Sequence, residues 1–206
     1  MSLSLFADDV LFLQRLLRAE GLYLDDLDGD WGPNTEKAVM EFEERSNQII
    51  NETGKFDSRS ERNIQTLSLK AQREARLFLG RLTEAGINAR IISGTRTYAE
   101  QNKLFRQGRF GNPGNIVTNA RGGFSNHNFC IAWDIGIFTE QGGYLSDGPQ
   151  YDKAARIGIS ERIEWGGNWK KIVDKPHYQV KLNIAISELR NLFENGRPIA
   201  GFKDES

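Results

Sequence analysis

Apolar and polar residues recur along this chain with two different periods, and the change of period divides it. Val10, Leu13, Leu16 and Leu17 fall at helical spacing, which predicts a helix over 8–20, capped by Asp8 or Asp9 and stopped at Gly21. Residues 24–32 are turn-rich, and Pro33 suits the first position of a second helix running to about Arg45. A long helix is expected over 67–84, ended by Gly86. Beyond it, residues 87–93 read as a strand, and 131–138 (Ile-Ala-Trp-Asp-Ile-Gly-Ile-Phe) alternate with period two. Ile131, Trp133, Ile135 and Ile137 then share one face, and Asp134 faces the other between the small residues Ala132 and Gly136. In Pro-His-Tyr-Gln-Val, His177 and Gln179 share a face opposite Tyr178 and Val180. Shorter helices are expected over 100–107, 152–158 and 184–193, with a glycine-rich loop over 108–124 long enough to form a rim or lid. The mixture predicts an α+β protein. A small N-terminal three-helix module, residues 1–66, precedes residues 67–206, whose mostly antiparallel sheet is flanked by helices. The boundary falls at Thr66 to Ser68, without a Pro/Gly/Ser-rich linker.

The first part contains a short repeat. Gly29 to Val39 lines up with Gly54 to Ile64 at an offset of 25 residues. Each copy is a glycine turn, an aromatic residue and a helix start, and Asp57 is a natural N-cap in the second. The acidic stretch 24–32 lacks the register of a calcium loop. Residues 28–35, Asp-Gly-Asp-Trp-Gly-Pro-Asn-Thr, match throughout the Asp-Gly-x-x-Gly-Pro-x-Thr hallmark of the peptidoglycan-binding module of many wall hydrolases. The resemblance spans about residues 6–66. It implies peptidoglycan as a partner and Asp28, Trp31 and Thr35 as the residues that meet it, although in such modules the aromatic is often partly core.

The chain has 206 residues, 38% apolar and 27% charged, with no apolar run approaching the ~18 residues of a membrane helix. Met-Ser-Leu-Ser-Leu-Phe-Ala-Asp-Asp lacks the basic segment and apolar core of a secretory signal. Synthesis in the cytoplasm is therefore expected, with any outside target reached by lysis, a holin-type pore or an injection machine. A single cysteine excludes an internal disulfide, and Cys130 is expected to be a small buried side chain rather than a nucleophile. Residues 1–66 carry 14 acidic and 7 basic side chains, and residues 67–206 carry 14 and 20, so a net charge of −1 conceals an acidic first part and a basic remainder. A basic domain concentrates near anionic polymers; cell wall and nucleic acid both qualify, and charge alone does not choose.

The candidate chemistry lies in residues 125–134 and 174–177. The chain has two histidines. His127 lies seven residues before Asp134, and His177 lies three after Asp174. Two histidines and a carboxylate are a usual donor set for a catalytic zinc, with the fourth position left to water. Ser-x-His-x-x-x-x-x-x-Asp followed by Asp-x-x-His resembles the zinc peptidases of the D-Ala-D-Ala metallopeptidase group, which share a fold with the hedgehog signalling domain. Members with Asp-x-x-His rather than Glu-x-x-His resemble the L-alanyl-D-glutamate endopeptidases of phage endolysins. The resemblance runs from about Leu67 to Leu192. It takes in Ser-Gly-Thr-Arg-Thr (93–97), Glu100-Gln101 and Glu-Trp-Gly-Gly-Asn-Trp (164–169). Cys130 stands where the family commonly has glycine.

The resemblance implies zinc held by His127, Asp134 and His177, and Asp174 as the proton shuttle. Glu164, in a Trp-Gly-Gly context that reads as a turn, is not expected to take that role. Arg96, at a strand end, is placed to stabilise an oxyanion or grip a substrate carboxylate, unless it pairs with Glu100 on the surface. Ser125, Gln101 and Trp165 are expected to orient substrate or support the ligands, and Trp165 and Trp169 to line the cleft or plug the core. The expected function is a zinc-dependent peptidoglycan hydrolase cutting the stem peptide at L-Ala–D-Glu. It would act as a monomer, without nucleic acid or membrane insertion. The alternatives are a D-Ala-D-Ala carboxypeptidase, or a wall-binding structural part of a phage or secretion apparatus with a vestigial metal site.

Overall fold

The structure, a computed structural model, describes residues 7–146 and 148–202. The first helix, α1, spans Ala7–Ala19. It is already helical at Asp9, so Asp9 lies within the first turn rather than capping it, and the side chain of Asp8 lies outside the described residues. Gly21 ends it at φ 75°, where the Leu22 and Tyr23 N–H groups both reach the Leu17 carbonyl. Helix α2 starts at Pro33 as expected but runs to Thr53, two turns beyond Arg45. Ser46 and Ile49 are buried in that extension, and Gly54 at φ 87° supplies the stop. Asp57 caps α3 (Ser58–Ile64), accepting from the N–H groups of Arg59 and Ser60.

Helix α4 (Leu69–Glu84), capped by Ser68, is the spine of the molecule. After it come strand β1 (Ala89–Ser93), helix α5 (Tyr98–Arg106), strands β2 (Ala132–Phe138) and β3 (Tyr144–Leu145), helix α6 (Pro149–Gly158), strands β4 (Ile163–Trp165) and β5 (His177–Val180), and helix α7 (Ile186–Glu194). The five strands form an antiparallel sheet in the order β1-β2-β5-β4, with β3 pairing along β2. Glu164 is a strand residue, not part of a turn.

The alternation of β2 and β5 decides the layers. Trp133, Ile135, Ile137, Tyr178 and Val180 are buried on the face that meets α4. Trp133, Tyr178 and Trp165 are direct cross-strand partners and stack in a row, 6.4 and 6.5 Å between centroids, with Phe78 of α4 4.4 Å from Tyr178. The opposite face carries Asp134, His177, Gln179 and Glu164.

The N-terminal helices are not set apart. One continuous hydrophobic cluster runs from Leu16 and Phe42 through Phe78 and Trp133 to Phe202. Phe12 of α1 packs on Phe193 of α7 at 5.5 Å. Arg76 of α4, fully buried, forms a two-armed ion pair with Glu61 of α3, both arms at 2.8 Å. No helix among the described residues is long and apolar enough to cross a membrane.

Candidate metal centre and cleft

Strand register assembles the centre. Asp134 on β2 pairs directly with Ser93 on β1 and with His177 on β5, so one row across three strands carries the functional side chains. The register shifts between Ile91 and Ser93, a bulge that turns the chain towards Gly94 and Arg96. His127 comes from a 3-10 turn, Asn126–Phe129, immediately before β2. Cys130 closes that turn in a left-handed conformation, φ 59° and ψ 23°. Burial pushes its thiol up to about 12, so it is an inert packing residue, as expected.

Three donor atoms converge. His127 Nε2 lies 3.1 Å from Asp134 Oδ1 and 3.2 Å from His177 Nδ1, and His177 Nδ1 lies 3.1 Å from the same Asp134 oxygen. The outer ring nitrogens settle the tautomers. His127 Nδ1 faces the Gly94 carbonyl at 2.7 Å, which can only accept, so Nδ1 carries the proton. His177 Nε2 faces Gln179 Oε1 at 3.0 Å. The Gln179 amide is oriented by donating from Nε2 to Glu164 Oε2 at 3.0 Å, so Oε1 must accept and His177 Nε2 carries the proton. Three acceptors therefore point at one another with no proton between them. A cation resolves that conflict, and donors around a tetrahedral ion with bonds of about 2.0–2.1 Å are separated by roughly 3.3 Å. The residues fit a zinc-type site.

Electrostatics agree. Burial would raise the Asp134 carboxyl, but the contacts of the two histidines, His127 foremost, hold it well below its ordinary value. Burial keeps His127 below its usual value, against the opposing pull of Asp134. Burial lowers His177, but its hydrogen bond to Asp134 and the charge of that carboxylate raise it further. Asp174 lines the same cleft, and its carboxyl is raised, first by burial and then by the charge of Asp134.

The other expected residues divide. Arg96 lines the cleft but donates to Asp134 Oδ2 and Ser93 Oγ, so Asp134 is shared between the histidines and a guanidinium. It does not pair with Glu100, whose carboxylate closes a capping box with Thr97 at the start of α5. Ser125 lines the cleft. Gln101 does not: it is fully buried and donates to Thr118 Oγ1 and the Ala120 carbonyl, supporting the rim loop from behind. Trp165 is on the wrong face, because strand alternation turns it into the aromatic stack while Glu164 faces the site; its Nε1 donates to the Lys175 carbonyl. Trp169 is the cleft tryptophan, 4.9 Å from the His177 ring and donating to Glu164 Oε1 at 2.7 Å. The sequence reading missed the support formed by Gln179, Glu164 and Asn126, whose Nδ2 reaches Gln179 Oε1. The signal was available in the alternation of Ile163, Glu164 and Trp165.

The cleft has a volume of about 1430 Å³ and is bordered by the 116–125 loop, Tyr144 and Ile172. That exceeds the roughly 300–1,000 Å³ of a small-ligand pocket. Ile116, Val117, Phe124 and Ile172 are exposed at its mouth.

In the N-terminal part, the Asp28–Thr35 motif is organised by Gln14. The buried Gln14 amide donates to Asp28 Oδ1 at 2.8 Å and the Asp30 carbonyl at 3.0 Å, lies 3.3 Å from Thr35 Oγ1, and accepts from the Gly29 N–H. Thr35 is buried to 1% exposure and cannot meet a ligand directly, whereas Trp31 is 47% exposed.

Comparisons with known proteins bear on both parts. Residues 118–180 match the family described as D-alanyl-D-alanine carboxypeptidase. Residues 7–60 match the family described as putative peptidoglycan binding domain. Over 104 residues, 46% of this chain, the sequence is 38% identical to the peptidoglycan L-alanyl-D-glutamate endopeptidase CwlK of Bacillus subtilis (strain 168), and the match spans 62% of that relative's length. The crystal structure of the Serratia marcescens L-Ala D-Glu endopeptidase ChiX is similar at 27% identity, covering 62% of this chain and 90% of that one, with a TM-score of 0.45.

Proposed function

We propose that this protein is a zinc-dependent peptidoglycan hydrolase that cuts the L-Ala–D-Glu bond of the stem peptide. The observation that carries the reading is the convergence of His127 Nε2, Asp134 Oδ1 and His177 Nδ1 as unprotonated acceptors beside an aspartate in a long cleft. These three residues would hold the ion, which when bound polarises the scissile carbonyl and lowers the pKa of water to about 7. Asp174 takes the proton from the attacking water and returns it to the leaving amine; its raised carboxyl pKa suits both steps. Arg96 holds the second oxygen of Asp134, leaving the first to the metal. Gln179, fixed by Glu164, keeps His177 protonated at Nε2 so that Nδ1 ligates. Apolar rim residues and a cleft larger than a terminal dipeptide needs favour an internal bond.

The boundary near residues 66–68 separates this machinery from a wall-binding module, residues 1–66, in which Trp31 is the exposed contact and Asp28 and Thr35 shape the loop that presents it. Holding the enzyme on the polymer raises the local substrate concentration without new catalytic contacts.

A second reading, a D-Ala-D-Ala carboxypeptidase, is favoured by the description of the family matched over 118–180. Mass spectrometry of defined stem peptides digested by the zinc-loaded protein tests both. A new N-terminal D-Glu with the D-Ala end intact supports the first, and free D-Ala with the L-Ala bond intact replaces it with the second. Neither product, with zinc bound, leaves a wall-binding part with a vestigial site.

A further inference from the structure

The Gly94–Thr95 peptide group stands between the N-terminal helices and the donor cluster. Its carbonyl accepts from His127 Nδ1 at 2.7 Å, and its N–H donates to Thr66 Oγ1 at 3.0 Å. A trans peptide is a rigid plane whose N–H and C=O point in opposite directions, so the two contacts grip one plate from two sides. The Thr66 hydroxyl in turn donates to the Asn63 carbonyl at 2.7 Å, and Thr95 Oγ1 donates to the Thr66 carbonyl at 2.5 Å. A hydrogen-bond chain thus runs from the end of α3 to a histidine of the cluster, each link polarising the next.

The same end of α3 is fastened to β1. Asn63 Nδ2 donates to the Ile91 carbonyl at 3.1 Å, and the Ile91 N–H donates to Ser60 Oγ at 2.9 Å. Gly94 makes the approach possible: a Cβ there would lie 2.4 Å from the Asn63 carbonyl oxygen and 2.7 Å from Thr66 Oγ1. On the far side, the Arg96 N–H donates to the His127 carbonyl at 3.0 Å and Asn128 Nδ2 to the Arg96 carbonyl at 2.8 Å. The segment 94–96 is therefore held from the N-terminal module on one flank and zipped to the His127 turn on the other.

We infer that the end of α3 is a positioning element of the donor cluster, Thr66 acting through the Gly94–Thr95 peptide to hold His127 with Nδ1 protonated and Nε2 directed at the metal. The N-terminal module then has a second role besides wall binding. The inference rests on the proposed metal site only for the task of Nε2; the hydrogen-bond chain stands without it.

The test uses the full-length chain with Thr66→Val, which removes the hydroxyl at nearly constant volume, and Thr66→Ser, which restores it. Thr66 is exposed, so both variants should fold. In zinc-free protein, side-chain nitrogen NMR reads the His127 tautomer and the exchange of its Nδ1 proton; zinc affinity is read by competition with a chromogenic chelator. Valine should speed exchange of the Nδ1 proton and weaken zinc binding by about 3–10-fold, below the 10–100-fold expected for a direct partner of a ligand. Serine should match the wild type in both. Unchanged exchange and zinc affinity in Thr66→Val would overturn the inference. A wild-type chain that takes up no zinc would sink the metal reading instead, and the proton exchange would still decide the positioning role.

Discussion

Asp174 is the residue whose replacement should separate chemistry from metal binding. It lies in the cleft outside the set of three converging donors, so Asp174→Ala should keep its zinc and its fold while kcat/KM falls on the order of 10²–10⁴-fold. Elemental analysis beside turnover checks this, and near-native turnover would remove Asp174 from the mechanism. Glu164→Ala should behave differently. It frees the Gln179 amide to turn, so zinc should bind about 10–100-fold more weakly while turnover at saturating zinc is largely kept. The donors and Asp174 were legible because local sequence carries them: His127 and Asp134 lie seven residues apart and Asp174 precedes His177 by three. The partner of Arg96 was not, because Asp134 is 38 residues away and only strand register brings it near. Cys130 stands where glycine is common in the resembling family, and its φ of 59° gives the reason. That backbone costs a side-chain-bearing residue about 1–2 kcal/mol, and a small buried thiol is among the lesser burdens there.

Among the elements, α3 is short and would not persist alone, so its docking depends on a few strong contacts. The buried Arg76–Glu61 pair is the principal polar one. Burial would raise the Glu61 carboxyl, but hydrogen bonds from Arg76 and the Phe56 N–H hold it below its ordinary value. A carboxyl depressed in the fold stabilises it fully above the unfolded pKa of about 4.3 and loses that contribution as pH falls through the folded value. Protection of α3 amides from hydrogen exchange should therefore weaken below about pH 4. Arg76→Ala, which leaves Glu61 buried and unpaired, should cost about 3–5 kcal/mol at neutral pH in denaturant unfolding. An α3 whose protection is the same at pH 3 and pH 7 would refute the assignment. Helix positions were readable from apolar spacing and caps. The extension of α2 to Thr53 was not, because Ser46 and Thr53 are polar, and what holds that stretch is the burial of Ser46 and Ile49 and the hydrogen bond from Ser46 to Gln72 of α4. Strand alternation also decides between the two places open to Trp165, cleft and core: with Glu164-Trp165-Gly166-Gly167 read as a turn, nothing assigned Trp165 and Glu164 to opposite faces.

At the scale of the whole molecule, the sequence suggested two parts joined end to end, and the charge imbalance and repeat encouraged that picture. The structure joins them through a shared interior: one cluster from Leu16 to Phe202, the Phe12–Phe193 contact, the Arg76–Glu61 pair and the hydrogen bonds from α3 to β1. Such contacts are long-range and leave no local mark on the chain, which is why they could not be read from it. They carry a consequence for how zinc acts on stability. A ligand that binds only the folded state stabilises everything that unfolds with its site, by about 2.7 kcal/mol at a hundredfold excess over Kd. If α1–α3 unfold together with the sheet, added zinc should raise the protection of α2 and α3 amides as much as that of β2 and β5. Calorimetry should then show one transition that moves up as a unit. Trp31→Ala, remote from the cluster, should leave this zinc-induced shift intact while reducing retention on insoluble peptidoglycan. Two separate transitions, with only the later one moving on zinc addition, would mean that the shared interior does not bind the parts into one cooperative unit.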